Sequence, residues 1–592
     1  MEQTRLKKRY KKRKAVWGII IASVLAVSGG LIVASVMMQG AVQVQNTEDD
    51  KEEYSAEATY LDRSVLNGAP FLENDVYNKF DDKKLHYAYI TVLPTVDDVT
   101  EERVTLDDLN SVISFDQNPV VNVLFQEGDD SGPPLDIYKS TVVRPNGTMK
   151  VRGFSSREAP QKSFKVVLSG VSDTFLGQET LNFNKHYSDF TRFSNKFCMD
   201  AFEKIPDMGS LDTYFVKIYI RDLSKGGGGG FVDYGLFTMV EQPNRAYLES
   251  HGLGKNSTIY KPKLFGFGDY HEEIRSEDDP YYDEEAFERI LEIRENPDHD
   301  KLLEMIEAVN NMSNDINDVV GMYFNRENYL TWMATNIIFG NMDAIVHNYL
   351  LYSPLNSKTW YFLPWDYDGT LSYTEYILTR PDRYAKSHYG MGQFWVSPLH
   401  RRFFKNPENI KDLNDKIDLI MKEYLSARDC EELTEGYLEI YEKSAFQMPD
   451  IRNLRMSADE IAYYSENMYD VLKGFVDLYY ENLETPMPMF MALPENVGNK
   501  YTFKWDESFD FQGDLIYYTL EIARDIGFRN IVYSKEMMLE TSHEVTLDLP
   551  ADTYYFRVFI IDEHGNKQIN LENFHDPNTG DTHIGIVPFE VK

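Results

Sequence analysis

Cysteine is almost absent: Cys198 and Cys430 are the only two in 592 residues. That excludes a disulfide-stapled scaffold and a cysteine-based zinc site, and it leaves either one long-range disulfide or two buried thiols. Positive charge is also scarce, with 60 Lys and Arg against 96 Asp and Glu and a formal net charge of -36. Nucleic acid is a poor partner for such a chain, because its phosphates are repelled over most of the surface. There is no G-x-G-x-x-G loop, no V-A-I-K and no H-R-D, so an ordinary protein kinase is not supported. Long apolar runs are missing after the first forty residues. What is present is ample core material, 42% apolar and 14% aromatic, in a chain long enough for two or more domains.

The one long apolar run, Ala15 to Met38, would span about 36 Å as a helix and cross a bilayer. Residues 1–14 before it carry eight basic groups against one acid. The positive-inside rule holds such a leader in the cytoplasm. No clean A-x-A site follows, so an uncleaved anchor is read at 15–38 rather than a signal peptide. The expectation is a single-pass protein of the cell membrane with its bulk extracytoplasmic. Residues 39–60, including "QVQNTEDDKEEYS", read as an acidic linker.

Short alternating runs follow, among them "HYAYITVLP", "PVVNVLFQEG", "GTMKVRGFSS", "KSFKVVLSG", "DTYFVKIYIRD" and "YGLFTMVEQ". They predict an antiparallel sheet up to about residue 282. The five glycines in "SKGGGGGFVD" lack the spacing of a phosphate loop and read as a slack hairpin turn. From about Asp283 the period becomes helical, as in "DEEAFERILEIREN" and "ENYLTWMATNIIFGN". A strand-rich lobe followed by a helical lobe is therefore expected over 61–485. After "ETPMPMFMALPENVG" alternation returns, and 486–592 reads as a β-sandwich resembling a fibronectin type III or immunoglobulin-like module, with Trp505 on an early strand and Tyr554 as its corner tyrosine.

The chemistry concentrates in "NMDAIVHNYLLYSPLNSKTWYFLPWDYDGT", Asn341 to Thr370. Acids in so apolar a stretch are costly to bury unpaired. Asp343 and Asn348 stand five apart, the separation that a kinase catalytic loop uses for its proton-accepting Asp and metal-binding Asn. Asp366 follows an apolar strand and precedes Gly369, as a D-F-G aspartate does. A divalent cation, which takes oxygen ligands and leaves room for phosphate, would reconcile these acids with their surroundings. His347 reads as a core or supporting histidine, and Trp365 and Tyr361 as packing.

Four motifs in register, "VRGFSSREAPQKSFKVVL", "YGLFTMVEQPNRAYLE", "NMDAIVHNYLLY" and "WYFLPWDYDGTL", resemble the spore coat protein H (CotH) family of atypical kinases over roughly 120–480. The resemblance implies an α+β, two-lobed kinase-like fold that transfers phosphate from ATP, with Mg²⁺ or Mn²⁺, to Ser or Thr of proteins. It makes Asp343 the catalytic carboxylate, Asn348 and Asp366 metal ligands, and Asp368 a supporting or metal residue. On the nucleotide side stand Arg152, Ser155, Lys162, Lys165 and Glu241. Strand alternation lets one of the two lysines face the phosphates, and Lys162 is favoured. The acidic exterior suits a substrate rich in Lys, Arg and Ser. Two other readings compete: a non-catalytic surface or coat protein that retains the fold, and a glycoside hydrolase using Asp343 and Asp366 as paired carboxylates. The latter leaves Asn348 and the basic strand without a purpose.

Overall fold

The computed structural model describes residues 80–97, 99–114, 116–134, 144–169, 174–371, 390–577 and 579–591. The basic leader, the apolar 15–38 segment and the acidic linker lie outside them. No helix among the described residues is long and apolar enough to cross a membrane.

The first lobe is built on β1 (His86–Val92), β4 (Val120–Gly128), β5 (Gly147–Arg152), β6 (Ser163–Leu168), β7 (Thr180–Asn184), β8 (Thr213–Asp222) and β9 (Val232–Val240), with a two-strand hairpin of β2 (Thr95–Val96) and β3 (Arg103–Val104) beside them. These seven strands pair antiparallel, as expected, at every step but one. They close into a barrel in the order β1-β4-β5-β6-β7-β9-β8, and the closing pair, β1 with β8, is parallel. Closure satisfies edges that an open sheet would leave unpaired. Alternate residues fill the interior, for example Ile90, Val123, Val151, Phe164, Phe183 and Ile218. The Gly226–Gly230 run is exposed at the turn between β8 and β9, as a slack loop should be.

The second lobe is less purely helical than its periodicity predicts. The run "DEEAFERILEIREN" is a helix only over Glu284–Ile290; Leu291–Glu295 turns into strand β11. Pairing with β10 (Thr258–Pro262) overrides local propensity there, and β12 (Tyr349–Ser353) and β13 (Tyr361–Pro364) complete a sheet in the order β11-β10-β12-β13. Arg326–Ile338 packs on β13, and Pro407–Glu423 and Met468–Leu483 pack on that helix. Arg326–Ile338 is buried from Asn328 to Ile338, which is why its sequence shows apolar residues on every face. Cys198 and Cys430 are both buried and free, so the thiol alternative holds and the disulfide does not.

The last region is all-β. One sheet holds β14 (Glu495–Val497), β15 (Lys500–Lys504) and β18 (Ser542–Thr546); a second holds β16 (Ile516–Ala523), β17 (Ile531–Met538), β19 (Asp552–Asp562), β20 (Lys567–Ile569) and β23 (Val587–Val591). A small hairpin of β21 (Asn573–His575) and β22 (Thr582–Ile584) is appended. Phe503, Trp505, Tyr518, Tyr554, Phe556 and Phe589 share the core. The Tyr554 hydroxyl donates to the carbonyl of Pro550 at 3.2 Å, four residues upstream.

Candidate active site

The hairpin β12–β13 brings the two halves of the site together. Tyr349 pairs with Pro364, so Asn348, just before β12, and Asp366, just after β13, emerge at the same end. Upstream, helix Arg326–Ile338 is terminated at Phe339 and Gly340, whose φ of +59° and contact with the Phe475 ring admit no Cβ. Asn341 then accepts the N–H of Asp343 at 3.0 Å, fixing the loop that carries the acid.

Both oxygens of Asp343 are engaged. Its Oδ1 meets His347 Nε2 at 2.8 Å and its Oδ2 accepts Asn348 Nδ2 at 2.7 Å. The Asn348 bond uses the amide nitrogen and leaves the carbonyl oxygen, the atom a hard cation takes. Burial disfavours charge on His347, but the Asp343 hydrogen bond and its negative charge outweigh that and raise its pKa. Gly369 lies against the same acid: a Cβ there would come within 3.3 Å of Asp343 Cβ. The turn Tyr367–Gly369 is pinned from both lobes, by Asn195 Oδ1 accepting the Tyr367 N–H at 2.8 Å and by Tyr367 donating its hydroxyl to Asn336 at 3.0 Å.

Asp366 and Asp368 meet a residue whose role the sequence reading missed, His186. The three offer ligand atoms within 4.8 Å of one another. His186 Nδ1 lies 3.1 Å from Asp368 Oδ2, and its Nε2 is buried without a hydrogen-bond partner among the described residues. Burial, then the charge of Asp368, raises Asp366 to about 6. Two crowded carboxylates, with the Asn348 amide oxygen emerging at the same hairpin end, are hard oxygen donors of the kind Mg²⁺ or Mn²⁺ takes, and the His186 ring borders them.

A group of cations shares this field. Arg152, at the end of β5, is lowered to about 10 by burial, with Asp366 and Asp368 opposing the shift. Lys261 on β10 is held down to about 8 by burial and by Arg294, while Asp366 raises it. Lys261 and Arg294 both lie over the Trp365 ring, at 5.2 and 5.9 Å, so that tryptophan packs the cations as well as the strand. Lys165 is depressed by burial and by its neighbours Lys150, Arg152 and Arg294.

Two expected nucleotide contacts are placed elsewhere. Lys162, the favoured lysine, donates to the carbonyl of Arg157 at 2.6 Å, holding a turn that Arg157 ties to Gly153, Gln117 and Asn118. The reason is register: Phe164 and Val166 point into the barrel, which puts Lys165 on the outer face beside Arg152 and Arg294. Glu241 is buried against His251 at 2.8 Å and accepts from Gln178 and the Asp212 N–H; none of these belongs to the Asp366 cluster. Ser155 lies in the 3-10 turn Ser155–Arg157 after β5.

With this geometry in view, residues 149–479 match the family described as CotH kinase protein. Inner spore coat protein H of Bacillus subtilis (strain 168) is 22% identical over 246 residues, 41% of this chain and 63% of that protein. The chain therefore spans under two thirds of that relative's length. Among solved structures, the Helicobacter pylori proinflammatory kinase CtkA aligns over 58% of this chain and 94% of its own, with 10% identity and a TM-score of 0.22.

Proposed function

Because the chain belongs to the CotH kinase family, we propose that it is an atypical kinase, anchored in the membrane with its bulk outside, that transfers phosphate from ATP to Ser or Thr of basic proteins. The observation that carries the reading is the convergence at one hairpin end: Asp343 with Asn348, Asp366 with Asp368 and His186, and the cations around Trp365. A divalent cation bound with nucleotide would supply charge neutralisation between phosphate oxygens. The chain's own groups do the rest. Asp343 accepts the proton of the incoming hydroxyl, and Asn348 and His347 fix its two oxygens in place. Asp366 and Asp368 are the groups that would hold the cation, together with the Asn348 oxygen, and His186 positions Asp368. Arg152, Lys165, Lys261 and Arg294 offer positive charge to phosphate in a partly buried setting, where it acts more strongly than in water. The chain's net charge is -36 although its first fourteen residues are basic, so the part outside is strongly acidic and attracts substrates rich in Lys and Arg.

The test is transfer of labelled phosphate from ATP to a Lys- and Ser-rich protein by the full chain in detergent, with Mn²⁺ or Mg²⁺. Asp343→Asn is expected to lower turnover about 10²- to 10⁴-fold with nucleotide binding kept, and Asp366→Asn to abolish metal-dependent nucleotide binding. Absence of transfer together with no metal-dependent nucleotide binding refutes the reading and leaves a non-catalytic surface protein.

A further inference from the structure

Outside the active site, the C-terminal β-region carries two loops of one design. Asp510-Phe-Gln-Gly-Asp514 and Asp562-Glu-His-Gly-Asn566 each begin with an aspartate whose Oδ1 accepts two backbone N–H groups of its own loop. Asp510 takes those of Gln512 and Asp514 at 2.9 and 3.0 Å; Asp562 takes those of His564 and Asn566 at 2.9 and 2.8 Å. Each has glycine fourth, with φ of +80° at Gly513 and +89° at Gly565. The sheet sets the loops side by side, since the first residue of β16, Ile516, pairs with the last of β19, Asp562.

The result is three carboxylates, Asp510, Asp514 and Asp562, offering oxygens within 4.8 Å of one another. Asp510 and Asp562 are 7% and 2% exposed. No lysine or arginine is paired with any of the three among the described residues; the exposed His564 ring, 3.4 Å from Asp514, is the nearest base. Asp510 Oδ2 is buried with no hydrogen-bond partner among the described residues. A dry carboxylate oxygen without a donor, beside two more acids, is strongly unfavourable unless a proton or a cation sits against it, and three carboxylates together leave room for a cation.

We propose that this loop pair is a calcium site, separate from the Asp343–Asp366 centre, held by Asp510 Oδ2 and the carboxylates of Asp514 and Asp562. The donors are all hard oxygens from flexible-length loops, and calcium accepts six to eight of them, with water completing the shell; magnesium demands a tighter octahedron and keeps its own waters. The site also has a mechanical consequence. Asn566 Nδ2 donates to Asp562 Oδ2 at 2.7 Å and to the Glu484 carbonyl at 2.9 Å, and Gln512 Nε2 donates to Glu484 Oε1 at 3.4 Å; Glu484 caps the last helix of the kinase-like region, Met468–Leu483. Next to Asp510, Phe509 stacks on Trp395 of the helical lobe at 5.7 Å. An ion that ties the two loops together stiffens the joint between that lobe and the β-region.

The test is calorimetric titration of CaCl₂ into the EDTA-treated full chain in detergent, with MgCl₂ present in excess, alongside scanning calorimetry. One calcium per chain is expected, with the unfolding of the β-region raised by about 5 °C at ten times the dissociation constant. D514N and D562N are expected to weaken binding tenfold or more, and D366N to leave it unchanged. D510N keeps an oxygen acceptor for the two loop N–H groups and replaces the unpartnered Oδ2 by an amide nitrogen, so it should weaken binding as well; the partly exposed Asp514 makes D514N the variant least able to disturb the fold. No calcium heat above the magnesium background, binding indifferent to D514N and D562N, or binding lost in D366N each overturns the proposal.

Discussion

Asp450 offers the sharpest test of how the two lobes are held. It lies fully buried in the 3-10 turn Asp450–Arg452 of the helical lobe, yet its carboxylate serves the barrel. Oδ1 meets Lys185 Nζ at 2.7 Å, Arg192 Nη1 at 3.2 Å and Gln161 Nε2 at 2.7 Å, while Oδ2 accepts the N–H of Leu236 on β9 at 2.6 Å. Gly235 makes the approach possible: its φ is +83°, and a Cβ there would lie 2.1 Å from Asp450 Oδ2. Asp450→Ala leaves two buried cations without their anion, an arrangement that costs about 3–5 kcal/mol. Lys185→Met should cost less, because the carboxylate keeps Arg192 and the Leu236 N–H, and burial already holds that lysine down to about 8. Gly235→Ala, which adds left-handed strain to displacement of the carboxylate, should resemble Asp450→Ala. Native-state hydrogen exchange suits a chain of several cooperative units: protection of the β9 amides should fall about 10²- to 10⁴-fold in Asp450→Ala. A loss below tenfold, or a larger loss in Lys185→Met than in Asp450→Ala, would refute the reasoning.

Three further outcomes are expected. Lys165→Met should weaken Mn²⁺–ATP affinity at least fivefold by titration calorimetry and Lys162→Met should not, since only Lys165 shares the field of Arg152 and Arg294; equal effects would count against that assignment. Burial raises Glu572 to about 7 from 4.5 although the Met491 N–H donates to it, so between those pH values the unfolded chain has lost a proton that the folded chain keeps. Stability of the β-region therefore falls as pH rises through that window, by about 3 kcal/mol, and Glu572→Gln should remove this difference in wild-type-minus-variant unfolding curves. At Asn348, where φ is +59°, replacement by Gly should keep the fold but lose metal-dependent nucleotide binding, and replacement by Ala should be less stable than Gly by about 1 kcal/mol in calorimetry.

The polar residues of Asn341–Thr370 are legible because acids in an apolar stretch demand a partner, and because the spacing of Asp343, Asn348 and Asp366 survives folding as one hairpin end. Other features depend on contacts between distant segments and are invisible in a linear reading. Barrel closure rests on β1 meeting β8 across more than a hundred residues, and a strand carries no mark of which distant strand it will join. Leu291–Glu295 keeps the helical period of the run before it and becomes strand only through β10. Lys162 and Lys165 differ by register alone, so the choice between them waited on which side of β6 fills the barrel. His186 follows β7, a strand of only five residues, and Lys261 and Arg294 arrive from β10 and β11; nothing local associates them with Asp366. The paired D-x-x-G-D and D-x-x-G-N loops were open to view as a repeat, but their adjacency depends on the β16–β19 register.

Backbone conformation adds support to the proposal that the chemistry centres on this hairpin end. His186, Asn348 and Asp366 all have positive φ, at +45°, +59° and +59°. For an ordinary residue the left-handed region costs about 1–2 kcal/mol, less for Asn and Asp, whose short polar side chains bond locally. A chain tolerates such conformations when its surroundings over-determine them, and here they are held by the Tyr349–Pro364 pair on one side and by Asn195, Asn336 and Asp368 on the other. Three left-handed residues converging from β7, β12 and β13 are what is needed to turn side chains out of two separate sheets toward one point. A merely structural hairpin could have ended its strands in relaxed conformations, with glycine where the turn required it. The strain is therefore best explained by the convergence itself.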